Sequence, residues 1–391
     1  MPSTRRPGRT ARLLGSAAVA AAAALVLAAC GAGATATNTS AGAGSSAGAT
    51  KATALITKLQ KPVTAWPAAT AIKNPVSLAG KSVMIIPLGD TIPVMHGMSL
   101  GAKQALEHLG ANVSVCDGKI NPTDVASCLQ QAQSQHDYAV ISYFVAYPMD
   151  ANAFNAVAAS GTKVLIAGDS PVAGTHYPAN LSFFDFGPSL QTLSADEAAA
   201  AVADKGTGAN VIWIGQTDSA DTIAQADAGQ KRFQQLCPSC GFVLARYSTA
   251  NANQLPSTIS ALLVSHPNTN VVVMPVDTVV ANVLPGIQSA GYLNKVELIA
   301  TGSDLAGLQR VAAGGQAHDF AAPVIYDGYA TVNGLMQQAA GEKVAPLTNV
   351  TSDITKGNVG GLQLNDAAYF TSDWFGNDSF EKAFYTAWGT K

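Results

Sequence analysis

From residue 81 onward, short apolar runs rich in β-branched residues alternate with helix-like stretches. Most of the runs are continuously apolar, which is typical of parallel strands that are covered on both faces. The predicted strands are 82–87, 112–116, 138–142, 163–167, 210–214, 242–247, 270–274 and 296–300. The predicted helices between them are 98–109, 122–135, 150–160, 190–204, 222–236, 255–265 and 278–290.

Repeated strand–helix units require right-handed crossovers and build a doubly wound parallel sheet. Residues 80–391 are more than one such sheet needs, which favours two lobes. The sequence therefore predicts an α/β fold with two doubly wound parallel-sheet lobes joined by a hinge. Ligands in such folds bind at the carboxyl ends of the strands.

The charge balance argues against a nucleic-acid partner. The first 30 residues carry four arginines and no acid, so their removal takes the formal charge from −3 to −7. An acidic chain without a cluster of basic residues lacks the electrostatic footprint of a nucleic-acid-binding protein. The six histidines are scattered, and no metal-ligand motif or phosphate-binding loop occurs, so we expect no metal and no cofactor.

The N-terminus has the pattern of an export signal. Four arginines precede an apolar run over 13–27, which is shorter than the roughly 20 residues of a membrane span. Small residues then lead to Cys30 and Gly31, and this motif resembles the lipobox of bacterial lipoproteins. We therefore expect residues 1–30 to be a lipoprotein signal peptide. The acylated Cys30 would anchor the exported protein in the lipid bilayer, at the outer face of the cell membrane. A plain signal peptide with an incidental cysteine is the alternative.

The segment after Cys30 is predicted to be a tether. Residues 31–50 are Gly, Ala, Ser and Thr apart from Asn38, a composition that buries little apolar surface. Prolines interrupt residues 51–78. We expect a flexible tether over 31–79 and a folded part that begins near residue 80.

Four cysteines remain once Cys30 is assigned to lipid. An even number in an exported chain predicts disulfides, and we expect the pairs Cys116–Cys128 and Cys237–Cys240. The second pair could alternatively be a redox dithiol or part of a zinc site. A redox dithiol needs its first cysteine at a helix N-terminus, whereas Cys237 follows a predicted helix.

Polar and aromatic side chains follow several predicted strands. A sugar site needs acceptors for hydroxyl protons and an aromatic face for the ring. Asp and Ser at strand ends are also common helix N-caps, so each candidate has a purely structural alternative. The candidates are Asp90, Tyr143, Phe144, Asp169, Ser170, Asp218, Asp277 and Asp304.

Several local phrases resemble a known family. They are SLGAKQALEHLGANVSVCDGKINP, TKVLIAGDSP, ISALLVSHPNTNVVVMPVDTVVANVLPGIQSAGY and VELIATGSD. Together with the order of elements, over roughly residues 81–350, they are similar to type 1 periplasmic-binding proteins of the ribose-binding-like group. Lipoproteins of this family are substrate-binding proteins of ABC transporters.

The resemblance implies lobe boundaries and site residues. The N-terminal lobe would comprise 80–184 and 322–341, and the C-terminal lobe would comprise 185–321 and 342–391, including an aromatic tail packed over the lobes. Asp169 and Asp304 fall where sugar-binding relatives place ligand-contacting carboxylates. The chain departs from the family pattern by lacking aromatic residues after the first strand, and by having Ser170 in place of Arg and Val276 in place of Asn.

The sequence therefore predicts a monomeric solute-binding lipoprotein of an ABC importer, which captures a sugar-like ligand between the lobes and delivers it to a membrane permease. The alternatives are a ligand-sensing lipoprotein for a membrane kinase, or the binding of a nucleoside or amino acid. Residues 97–101 match the G-x-S-x-G motif of hydrolases. That motif acts at a direct strand-to-helix turn, which is not predicted at Ser99, so we do not expect an enzyme.

Overall fold

The strands of this computed structural model form two sheets, and helices flank each sheet. The structure describes residues 40–348, 350–371, 373–375 and 377–390. The predicted signal peptide, Cys30 and the first part of the predicted tether lie outside these residues. None of the helices in the described ranges is long and apolar enough to cross a membrane.

The first sheet is entirely parallel and has the strand order β2-β1-β3-β4-β5. In the interior strand over Ser82–Pro87, Val83 and Ile85 face one helical layer, whereas Met84 and Ile86 face the other. Both faces are therefore covered, as the continuous apolar runs predicted. The strands are β1 (Ser82–Pro87), β2 (Asn112–Val115), β3 (Ala139–Tyr143), β4 (Lys163–Ala167) and β5 (Leu181–Phe184).

The second sheet has the order β11-β10-β9-β8-β6-β7 and is parallel except for the antiparallel edge strand β11. Its strands are β6 (Asn210–Gln216), β7 (Gly241–Tyr247), β8 (Val271–Val273), β9 (Glu297–Thr301), β10 (His318–Ala321) and β11 (Ser352–Thr355). The predicted fold class, two doubly wound α/β sheets, is confirmed.

Helices connect and cover the strands. The first five are α1 (Ser40–Leu59), α2 (Pro93–His108), α3 (Pro122–Ser134), α4 (Ala151–Ala159) and α5 (Gly187–Lys205). The next five are α6 (Ala220–Leu236), α7 (Leu255–Ser265), α8 (Asp277–Ser289), α9 (Leu305–Ala313) and α10 (Val324–Ala339). Two short helices, α11 (Asp366–Tyr369) and α12 (Ser379–Ala387), lie in the C-terminal tail.

Helix α1 differs from the predicted flexible tether. It packs against α5 and α6, with Ala52 and Ile56 buried. A Cβ atom at Gly48 would collide with the carbonyl oxygen of Leu236, so small residues allow this close approach. Beyond the helix, Ile72 is also buried. The Gly- and Ala-rich composition thus reflects tight helix packing over part of the segment expected to be coil.

The C-terminal tail is shared between the two sheets. Strand β11 extends the second sheet, whereas α12 packs on α10, which itself lies along α2 beside the first sheet. The aromatic residues of α12 account for its position, because Phe380 and Phe384 pack against Tyr326 and Tyr329 of α10.

Candidate functional site

The ends of β4 and β5 meet the start of α6 in a group of acidic side chains. Ser170 follows β4, and its hydroxyl donates to Asp221 Oδ1 at 2.5 Å and to Asp185 Oδ1 at 3.3 Å. Asp185 lies where the chain passes from the first sheet to α5. Asp221 is in the first turn of α6, beside the second sheet. Ser170 therefore links groups on both sides of the junction between the sheets.

Asp169 belongs to the same group. Its side chain is 3 % exposed, and its Oδ2 atom accepts a hydrogen bond from the backbone N–H of Tyr147 at 2.8 Å. Burial raises the pKa of Asp169, although backbone hydrogen bonds oppose the rise. Burial also raises the pKa of Asp221 to about 6, and the charges of Asp185 and Asp169 add to that rise.

Two buried polar atoms in this group lack partners. Asp221 Oδ2 and Gln225 Nε2 have no hydrogen-bond partner within the described ranges, and their side chains are 3 % and 4 % exposed. They lie one turn apart on α6, so both are on the same face of the helix. Buried polar groups are almost always hydrogen-bonded in folded proteins. An acceptor and a donor left unpaired side by side are what a small polar ligand could satisfy.

The close approach at this junction requires a glycine. A Cβ atom on Gly187 would lie 2.9 Å from Asp185 Oδ1 and 3.2 Å from Asp221 Oδ1. Gly187 also donates its N–H to Asp185 Oδ1 at 2.7 Å. The first residue of α5 thus brings the carboxylates of Asp185 and Asp221 together without a side chain between them.

A second polar group lies at the carboxyl ends of β8, β9 and β10. Asp277 is buried at the start of α8, where its carboxylate accepts from Arg310 Nη2 at 3.1 Å and from the backbone N–H of Asp304 at 3.0 Å. Asp319 accepts two hydrogen bonds from Ser303, both at 2.9 Å. Burial, followed by neighbouring carboxylates, raises the pKa values of Asp277 and Asp319.

Asp304 is the N-cap of α9. Its Oδ1 atom accepts from the backbone N–H of Gly307 at 2.6 Å, which is the structural alternative considered from the sequence. No hydrogen bond among the described residues joins Asp304 to the group around Asp169. The two carboxylates singled out by resemblance therefore belong to separate networks.

The other strand-end candidates lie in different environments. Asp90 is part-buried, with its Oδ1 atom 3.1 Å from His96 Nδ1. Asp218 is exposed and accepts from the Thr249 N–H at 3.0 Å, which ties the end of β6 to that of β7. Tyr143, at the end of β3, is fully buried.

Phe144 has strained backbone geometry. Its φ is 55°, and its ring meets that of Phe186 edge-on with centroids 5.5 Å apart. Ser303, after β9, has a φ of 51°. Residues other than glycine rarely adopt such angles, and when they do they are often at functional sites. Phe144 follows β3 and Ser303 follows β9, and these strand ends lie next to the two polar groups.

The G-x-S-x-G motif has a packing role instead of a catalytic one. Ser99 lies in the second turn of α2, which starts at Pro93, so it is not at a strand-to-helix turn. A Cβ atom on Gly97 would collide with the Val324 side chain, and one on Gly101 with the Ile325 carbonyl oxygen. The two glycines let α10 approach α2.

Both predicted disulfides are present. Cys116 bonds to Cys128 with Cα atoms 5.8 Å apart, and Cys237 bonds to Cys240 with Cα atoms 5.4 Å apart. Within the described residues, no group of His, Cys, Asp or Glu side chains could hold a metal ion. The CPSC segment is therefore a bridge between β7 and the end of α6 in this structure.

Several site residues were missed by sequence reasoning. Asp221 and Gln225 lie inside a helix, and no strand end marks them. The signal that could have found them is their spacing of four residues directly after the capping Ser219, which places both on one face at the start of α6.

Comparison with known proteins identifies the fold. No protein-family model and no curated protein matches the chain. The Caulobacter myo-inositol binding protein bound to myo-inositol matches with a TM-score of 0.60 at 18 % identity, over 75 % of this chain and 98 % of that one. The 5-methylthioribose transporter solute binding protein from Thermotoga lettingae matches with a TM-score of 0.64 at 13 % identity, over 81 % and 99 %.

A periplasmic ribose ABC transporter protein from Conexibacter woesei also matches, with a TM-score of 0.58 at 17 % identity over 78 % of this chain and 98 % of that one. At these identities the similarity shows the fold. The chain has the two-lobed fold of type 1 periplasmic-binding proteins, as the sequence resemblance implied.

Proposed function

We propose that this protein is a solute-binding lipoprotein of an ABC importer that captures a sugar or a sugar-like molecule between its two lobes. The shared fold supports the proposal, because the similar structures are described as binding myo-inositol, D-allose or 5-methylthioribose. The N-terminal sequence supports export and anchoring through Cys30. The partner would be a membrane permease, and binding would involve no catalysis.

The observation that carries the proposal is the junction at Ser170. Side chains from both sheets converge there, and Asp221 Oδ2 and Gln225 Nε2 are buried without partners. A ligand that contacts both lobes stabilises the closed form, because only that form offers all the contacts together. The predicted ligand residues Asp169 and Ser170 stay central to the proposal.

The chemistry of the junction favours a hydroxyl-rich ligand. Asp169, Asp185 and Asp221 offer carboxylate oxygens, which accept hydrogen bonds from hydroxyl groups. The Gln225 side-chain amide supplies a donor for a hydroxyl or ring oxygen. The pKa of Asp221 of about 6 leaves it mostly ionised, and therefore an acceptor, at neutral pH.

A thermal-shift screen tests the proposal. The compounds are myo-inositol, allitol, D-allose, D-tagatose and 5-methylthioribose, with nucleosides and amino acids as a second set. Binding to the folded state alone raises the unfolding temperature by mass action. We expect at least one compound of the first set to raise it for the wild type.

The same screen on Asp221→Asn and Asp169→Asn should show weaker shifts. Loss of one charge-assisted hydrogen bond costs about 1.5–3 kcal/mol, or roughly ten- to a hundredfold in affinity. Asp227→Asn is the matched control, because Asp227 is an exposed residue of the same helix as Asp221 and pairs with Arg246 at the surface. A shift only with the nucleosides or amino acids would indicate that the ligand is not a sugar. No shift with either set would contradict the proposal.

A further inference from the structure

The C-terminal tail brings two aromatic residues to the junction between the sheets. Tyr369 ends α11, and Phe370 follows it. The Phe370 ring meets the His96 ring edge-on, with centroids 5.0 Å apart. His96 in turn pairs with Asp90 in the loop after β1. The tail therefore reaches a predicted ligand residue of the first lobe.

Tyr369 is buried within reach of charges from several carboxyl groups. It is 4 % exposed, and its hydroxyl has no hydrogen-bond partner among the residues that the structure describes. Burial raises its pKa well above the usual value, and nearby carboxyl groups add to the rise. Those groups belong to Asp304, Asp277 and Asp319 beside the second sheet and to Asp327 in α10.

The surrounding tail holds Tyr369 in place. Its ring packs on that of Trp374, with centroids 5.1 Å apart, and the Trp374 indole donates to the Gln363 carbonyl oxygen at 2.9 Å. Asn365 caps α11 by accepting from the Ala368 N–H at 2.9 Å. A buried hydroxyl that is fixed in position without a partner lowers folding stability. The hydroxyl therefore costs the unliganded protein stability, and a hydrogen bond to a bound ligand would explain its presence.

We propose that Tyr369 is a ligand-binding residue, delivered by the tail to the second polar group around Asp277, Asp304 and Asp319. This inference rests on the proposed function. The Tyr369 hydroxyl would pair with a hydroxyl of a sugar or polyol, whose other hydroxyls donate to the neighbouring carboxylates. Phe370 lies beside it and offers an apolar ring face. The loop over 88–92 has no aromatic residue, so the tail supplies the aromatic side of the site.

The test compares Tyr369→Phe with Tyr385→Phe. Tyr385 is in the same tail, but its hydroxyl pairs with that of Tyr329 at 3.1 Å, away from the carboxylates around Asp304. Calorimetric titration would measure dissociation constants for myo-inositol, allitol, D-allose, D-tagatose and 5-methylthioribose. Thermal unfolding without these compounds would be measured in parallel.

We expect Tyr369→Phe to bind the compound recognised by the wild type about tenfold more weakly. Its unfolding temperature without the compound should be equal to that of the wild type or higher, because an unpaired buried hydroxyl has been removed. Tyr385→Phe should bind like the wild type. If Tyr369 had a purely structural role, its substitution would not weaken binding while leaving the unfolding temperature unchanged or higher.

Four results would overturn the inference. Equal affinity in Tyr369→Phe and the wild type would show that the hydroxyl does not contact the solute, while the proposed function would stand. Tighter binding by Tyr369→Phe would show that the tail competes with the solute. A lower unfolding temperature together with weaker binding would show a structural role. If the wild type binds none of the five compounds, the sugar-binding function and this inference both fail.

Discussion

His318 is a buried cation that ties several elements together. It lies in β10, with its ring nitrogens 2.8 Å from Asp204 and 2.9 Å from Asp353. Burial alone would lower the pKa of His318, but the hydrogen bonds to these two carboxylates and their charges raise it to about 10. Gln60, just after α1, donates to Asp353 at 2.9 Å. The imidazolium therefore links α5, β10 and β11, and through Gln60 the N-terminal segment.

The stability contributed by His318 depends on pH. Its pKa in the folded state, about 10, lies above the value of about 6.5 in the unfolded chain. The stabilisation is therefore fully present below pH 6.5 and is lost as the pH rises through 10. We expect His318→Gln to lower the free energy of unfolding by about 3–5 kcal/mol at pH 6, because it leaves the buried carboxylate of Asp353 without its cationic partner.

Thermal unfolding of His318→Gln and the wild type at pH 6 and pH 10 tests this expectation. The difference between the two proteins should shrink at the higher pH. His266→Gln, which changes an exposed histidine, is the control and should behave like the wild type at both values. A difference that stays constant between pH 6 and pH 10 would mean that His318 is not a charged partner of Asp204 and Asp353.

Sequence reasoning could find only half of the junction site. Asp169 and Ser170 follow an apolar run, so the pattern marks them as strand-end residues. Asp221 and Gln225 lie in an ordinary helix, and only the three-dimensional structure shows that Ser170 reaches Asp221. Asp304 could not be assigned from the sequence, because a capping aspartate and a ligand aspartate occupy the same position at a helix start.

At the scale of elements, the contact between α2 and α10 depends on glycines in both helices. A Cβ atom on Gly328 of α10 would crowd the Met98 carbonyl oxygen and the Ala102 amide nitrogen of α2. Gly101 of α2 lies equally close to the Ile325 carbonyl oxygen. The atoms that would clash are backbone atoms, so no side-chain rotation could make room for a larger residue.

We expect Gly328→Ala to destabilise the protein by about 1–3 kcal/mol through overpacking, even though alanine favours helix more than glycine does. Denaturant unfolding followed by circular dichroism would measure the change. Gly208→Ala is the control, because a Cβ atom there meets nothing within 4 Å. An unchanged midpoint for Gly328→Ala would show that the two helices are not held at this distance.

The elements missed from the sequence have a physical explanation. β5, β10 and β11 are four residues each, and β10 and β11 contain polar or charged residues that break the apolar pattern. The polar residues of β10 are paired inside the protein, as His318 and Asp319 show, which no local pattern can reveal. The sequence predicts coil over α1 because its small residues bury little apolar surface by themselves. In the structure, their small size lets the helix pack closely against α5.

At the scale of the whole molecule, the segment after α1 and the C-terminal helix α12 both pack on α10. Trp66 stacks on Tyr326 with ring centroids 5.1 Å apart and meets Phe380 edge-on at 4.7 Å. The Ile72 N–H donates to the Ala387 carbonyl oxygen at 3.0 Å. These contacts join the segment after α1 to the C-terminal helix. The tail that carries Tyr369 is therefore held at both ends, by β11 before it and by α12 after it.

The proposed solute site lies where Ser170 of one lobe meets Asp221 of the other. A crystal structure of the protein with the compound that raises the unfolding temperature most is the direct test. We predict a solute oxygen within hydrogen-bonding distance of Asp221 Oδ2 and of Gln225 Nε2. A cavity of about 660 Å³ lies elsewhere, lined by residues of α7 and α8 including Pro256 and Ser289. A solute bound in that cavity, or anywhere else away from Asp221, would contradict the account.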